Sequence, residues 1–161
     1  MRITVRLRTV ATVIAAVTVL ASLGCWYWST RPTQAQRTAA AIRVDGYLLL
    51  GRSFSDGDTG SHPSTNSAGN LFYGPILQGD VTALVTGLHV RWETNLIPVP
   101  FGDRDLIARG QQPDGCSVAV LRLRRNVPTG LLTGASNDQA ALFQAGKKDI
   151  LDVGVVCPGA P

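Results

Sequence analysis

Three cysteines and two histidines carry most of the reactive chemistry open to this chain. Cys116 and Cys157 are the only cysteines beyond the N-terminal apolar run, and outside the cytoplasm such a pair normally closes to a disulfide. They lack the two-residue spacing of a redox motif and have no histidine close in sequence, so the expectation is a structural bridge. His62 and His89 are the only imidazoles, and each is a candidate general base for a hydrolase. His62 follows Asp56 and Asp58 in "SDGDTGSHP", which makes Asp56, Asp58 and His62 a candidate ligand loop. The two carboxylates begin like a calcium loop, but the fifth position is Gly60 and the twelfth, where a bidentate Glu is required, is Ser67. No nucleophile elbow, P-loop, HExxH or dinucleotide fingerprint is present, so no catalytic residue, metal or cofactor is assigned. Glu93 is the only Glu, which leaves a paired-carboxylate glycosidase to rest on unmarked Asp residues.

The formal charge of +4 is a poor guide to partners. Arg2, Arg6 and Arg8 precede the apolar run, and setting them aside leaves 12 basic against 11 acidic residues. A balance so even does not call for nucleic acid. Arg91, Arg122, Arg124 and Arg125 form a candidate basic patch for anionic lipid or cell-wall polymer if their strands are neighbours.

Residues 1–8 read as a cytoplasmic basic tail and 9–28 as a transmembrane helix or signal segment. The twenty uncharged residues would span about 30 Å as a helix, enough for one crossing. Arg6 and Arg8 on one side and Trp26, Tyr27 and Trp28 on the other suit a membrane interface with the N-terminus in the cytoplasm. Two other fates use the same residues. The run can serve as an export signal cut after Ala35, and "ASLGC" resembles a bacterial lipobox with Cys25 as the lipidated residue. All three place the remainder outside the cytoplasmic membrane.

Residues 29–40 read as a polar linker and 41–161 as one extracytoplasmic β domain. Gly and Pro together number 26, which favours turns and strands over a helical bundle. Period-two alternation marks a strand over 42–50, interrupted at Gly46, and another in which Leu88, Val90 and Trp92 oppose His89, Arg91 and Glu93. Residues 51–70 are poor in apolar groups and read as a long loop. "DRDLIARGQQPDGCSVAVLRLRRNVP" reads as strand, turn, strand. Ser136 and Gln139 suggest a capping box that opens one short helix ending near Gly146, and "DILDVGVVC" closes the domain as a strand. A bridge between Cys116 and Cys157 places the last two strands antiparallel, with Val118 opposite Val155, Val120 opposite Val153 and Arg124 opposite Asp149.

"IRVDGYLLL", "DGCSVAVLRL" and the Arg-rich composition resemble small exported single-domain actinobacterial proteins of unknown function. That resemblance implies an exported β-sandwich and carries no catalytic residues with it. The expected fold is therefore mainly β: an antiparallel β-sandwich or small barrel with one short helix, preceded by a single N-terminal transmembrane helix. The expected role is a non-catalytic, membrane-anchored binding or accessory domain of a bacterial cell envelope. Its expected partners are membrane lipid through the N-terminal helix and an envelope protein or cell-wall ligand.

Overall fold

The computed structural model describes Ser22 and residues 31–53, 66–94, 96–128, 130 and 132–158. Arg6, Arg8, Cys25, Trp26, Tyr27, Trp28, Asp56, Asp58 and His62 lie outside the described residues, as does all of 9–28 except Ser22. Among the described residues no helix is long and apolar enough to cross a membrane. The chain divides into Met1–Pro32 and Thr33–Pro161, and the fold that follows is that of the second unit.

The domain is mainly antiparallel β with two helices. Helix α1 spans Gln34–Ala41, followed by β1 (Arg43–Val44), β2 (Leu48–Ser53) and β3 (Asn66–Gly74). A 3-10 turn (Val81–Ala83) leads to β4 (Val85–Thr86), β5 (Arg91–Trp92) and β6 (Val99–Phe101). The remaining elements are β7 (Arg104–Gln111), β8 (Ser117–Leu123), helix α2 (Asn137–Gln144) and β9 (Asp149–Cys157). Seven strands form one sheet in the order β2-β3-β9-β8-β7-β5, with β6 also paired to β7; β1 and β4 pair separately.

Residues 34–40, expected as linker, are instead most of α1. The alanine-rich segment has high helix propensity, and Thr33 with Gln36 forms a reciprocal capping box. Ala35 and Ala39 are buried one turn apart, so the helix meets β3 and β9 through its smallest side chains. Asn66 and Asn70 on β3 serve its two ends: the Ala35 N–H donates to Asn66 Oδ1 at 3.4 Å, and Asn70 Nδ2 donates to the Ala39 carbonyl at 2.6 Å. The strand expected over 42–50 is divided at Gly46, whose φ of 79° turns the chain from one sheet into the other. The long loop is shorter than expected, because β2 runs on to Ser53 and β3 starts at Asn66.

The last two strands pair in the expected register, Val118 with Val155 and Val120 with Val153. The Cys116–Cys157 disulfide closes their end across a sequence separation of 41. On the first face of the sheet, Phe72, Val118, Val120, Leu151, Val153 and Val155 pack under α1, β1, β4 and the 3-10 turn. On the second face a smaller core joins Leu71, Leu123 and Ile150 to Phe143 of α2 and to Val127 and Leu132.

The expected Arg124–Asp149 ladder pair does not form. Strand β8 ends at Leu123 and the chain turns, with the Val127 N–H donating to the Arg124 carbonyl at 3.2 Å, so Arg124 swings to Asp105 at 2.7 Å. Asp149 is fully buried and is matched otherwise. It accepts from the Leu77 N–H at 2.7 Å, lies 3.4 Å from Arg122 Nε and is ion-paired with Arg125. Arg125 also donates to the carbonyls of Phe143 and Lys148 and lies over the Phe143 ring, 4.7 Å from its centroid. One guanidinium thus caps the C-terminus of α2 and neutralises the start of β9.

Asp149→Ala leaves Arg125 and Arg122 without their buried acceptor, and the expected loss is about 3–5 kcal/mol, read by chemical denaturation. Tyr47 donates to the Pro75 carbonyl at 2.9 Å. Its phenol titrates above the usual range because burial, and then the Asp149 charge, disfavour phenolate, against a smaller opposing effect of Arg122. A raised folded-state pKa gives stability that is present below the unfolded phenol pKa near 10 and lost as pH rises through the folded value. The alkaline fall in stability should therefore be shallower in Tyr47→Phe than in the parent, measured by denaturation from pH 9 upward.

Candidate functional site

Strand β9 alternates strictly. Leu151, Val153 and Val155 point to the packed first face, so Ile150, Asp152, Gly154 and Val156 belong to the second. The register carries this second face across the sheet: Leu121 lies opposite Asp152, Ala119 opposite Gly154 and Ser117 opposite Val156, with Arg109 beyond Ala119 on β7. Helix α2 and the segment before it cover only the end that holds Leu123 and Ile150. The rest opens into a cleft of about 430 Å³, within the size range of small-molecule sites.

Ala119 and Gly154 form the cleft floor; Leu106, Leu121 and Val156 stand beside it and Phe101 projects at the rim. Phe101 is 69% exposed, and Ile97 and Val99 on the same segment are exposed as well. Asp152 is buried and paired with Arg104. Because β8 lies between β7 and β9, the Arg104 side chain must cross about 10 Å of sheet to reach it. Arg104 also lies 3.3 Å from Asp103. Arg109, by contrast, is 57% exposed and lies 3.6 Å from Glu93, itself 53% exposed.

The expected basic patch does not assemble. Arg122 and Arg125 are drawn to Asp149 and Arg124 to Asp105, where the carboxylate raises its pKa. Arg91 pairs with Gln111, at the opposite end of the sheet from these three. Register, not composition, separates them. His89 is exposed in a shallow depression with Val90, Arg91, Gln111, Gln112 and Pro113. That lining holds no carboxylate and no hydroxyl among the described residues. Nor do the described residues contain a cluster of three or more His, Cys, Asp or Glu suited to a metal ion.

Sequence reasoning passed over Arg104, Arg109, Asp152 and Gly154. The signal was present in "DILDVGVVC": Asp152 and Gly154 fall on one parity of a strand whose other parity is apolar from Leu151 to Cys157. No protein family, curated protein or solved structure matches the chain.

Truncating Arg104 removes the ion-pair partner of the buried Asp152 carboxylate, whereas truncating Arg109 removes an exposed contact. Arg104→Ala should cost about 3–5 kcal/mol and Arg109→Ala about 0–1 kcal/mol, compared by urea denaturation. Asp152→Ala combined with Arg104→Ala should recover part of the larger loss, because the buried carboxylate is then removed together with its ion-pair partner.

Proposed function

We propose that this chain is a membrane-anchored, extracytoplasmic binding or accessory domain of a bacterial cell envelope, and that the cleft over Ala119 and Gly154 is its binding surface. One observation carries the reading: the second face of the sheet is closed by α2 at one end and left open over the rest, around a partly buried ion pair and an exposed Phe101. An exposed apolar surface beside a few fixed polar groups is characteristic of ligand and partner sites.

Export is supported by the buried disulfide, which an oxidising compartment would maintain. Cleavage after Ala35 fits the domain poorly, because it would remove the Thr33 cap and the buried Ala35 from α1. Residues 9–28 are accordingly read as a retained anchor with the N-terminus in the cytoplasm. In finer detail we read the domain as an unequal sandwich, with β1 and β4 as the small sheet against the seven-stranded one; the core they share supports this.

Two measurements test the proposal. Intact mass of protein extracted from membranes should be that of the full chain; a start at Gln36 would mean secretion, and a diacylglyceryl adduct on Cys25 would mean a lipoprotein. Amide resonances of Ala119, Gly154 and Val156 should shift when the full chain, in nanodiscs, is titrated with soluble envelope extracts. Shifts confined elsewhere, or hydrolysis of the extract that is lost in His62→Ala or His89→Ala, would replace the binding role with another surface or with a hydrolase.

A further inference from the structure

The cleft has a floor that the fold itself does not require. Gly154 sits in the middle of β9, a central strand paired on both sides. A methyl group built there would meet no atom within 4 Å, and its φ is not in the left-handed region. A glycine inside a strand weakens it and commonly marks a place where a ligand or another backbone approaches closely. No other described backbone lies close above Gly154. Its neighbour across β8 is Ala119, so the floor stays low over two adjacent central strands.

We infer that this cleft holds the hydrocarbon chain of a lipid-derived anionic amphiphile, with Arg109 meeting the head group. The inference rests on the reading of the cleft as the binding surface and adds the ligand class. The walls support it first: Leu106, Leu121, Val156 and Phe101 offer hydrocarbon to hydrocarbon. The charges support it second. Asp152 is neutralised by Arg104, which also faces Asp103, so the inner end presents no net positive charge to an anion. Arg109 is the exposed cation of the lining, and its contact with exposed Glu93 at 3.6 Å is the kind of surface pair that exchanges at little cost. An anionic head can take that guanidinium in a charge-assisted hydrogen bond while the tail lies over Ala119 and Gly154.

Other ligand classes fit less well. A sugar needs donors and acceptors spread along the floor, yet the backbone groups of Ala119 and Gly154 belong to strands paired on both sides. A peptide recognised by strand addition needs a free sheet edge, whereas this cleft lies on the face.

A photoreactive lysophosphatidylglycerol with a diazirine in its acyl chain, added to the full-length protein in phosphatidylcholine nanodiscs, tests the assignment directly. After irradiation, label is expected on peptides containing Leu121, Val156 or Phe101. Gly154→Val fills the floor and should abolish this labelling without lowering the melting temperature, with Ala119→Leu as the second filling variant. Arg109→Gln should cut labelling by the anionic probe about tenfold, the scale of one charge-assisted hydrogen bond, and leave a neutral monoacylglycerol diazirine unchanged. Cleft labelling that survives both filling variants would overturn the proposal. If the lipid probe leaves the cleft unlabelled while a photoreactive wall-glycan fragment marks it, the ligand class is wrong and the binding surface stands. If neither probe marks it, both readings fall.

Discussion

A carboxylate with no access to water must be matched by donors, and Asp149 is the point where the fold is built around that requirement. It opens the central strand β9 and is fully buried. Its acceptors draw in the backbone at Leu77, the β8 side chain Arg122 and the turn residue Arg125. Arg125 then reaches the C-terminal carbonyl of α2 at Phe143. The chain that crosses from β3 toward the 3-10 turn, the end of β8 and the last helix are thereby indexed to one side chain. The disulfide holds the opposite end of the same strand pair, so β8 and β9 are fixed at both ends by interactions of different kinds. Closing a loop of that length contributes about 4 kcal/mol in the chain-entropy account.

This arrangement makes the two faces of the sheet unequal. Asp149 is matched at the end of the sheet where α2 packs, and the small second core of Leu71, Leu123, Phe143 and Ile150 gathers there. Two residues beyond Ile150 the same parity brings Asp152, and the cover ends. Arg104 reaches across β8 to satisfy that carboxylate, and in doing so it occupies the position where a third apolar layer would have continued. Beyond it Gly154 and Ala119 leave the face low. The first face has no such break, because α1 follows β3 and β9 on Ala35 and Ala39 and every inward residue of β9 from Leu151 to Cys157 is buried.

Much of this was legible in the chain because it depends on local period and local capping. The β class, the β8–β9 register, the bridge between Cys116 and Cys157 and the Ser136–Gln139 box that opens α2 all follow from residues near one another or from two cysteines with no other partner. What escaped depends on distance. Helix α1 looked like linker because its alanines show no amphipathic contrast; their burial follows from Asn66 and Asn70, about thirty residues away. The arginines looked like a patch because charge in sequence does not reveal which carboxylate will be within reach. Arg124 shows how little is needed: one turn after Leu123 sends it to Asp105 rather than to the start of β9. The cleft was invisible for the same reason, since its two cations come from β7 and its carboxylate from β9.

Both edges of the sheet are protected, which leaves its face as the proposed recognition surface. An open edge offers unpaired N–H and C=O groups to any extended chain. On one side β6 and the two residues before it carry the exposed row Ile97, Val99 and Phe101, a segment that would invite edge pairing were it not for Pro98 and Pro100, each of which removes a donor. On the other side the chain at Gly134 comes so close to the Leu50 carbonyl that an added methyl would lie 2.3 Å from that oxygen, so β2 is shielded along part of its length. Strand addition is disfavoured at both rims. The apolar row on β6 is then left to act through its side chains, and of these Phe101 is the one that reaches the cleft. Apolar exposure and edge protection on the same short strand are consistent with a surface shaped for a ligand on the face of the sheet.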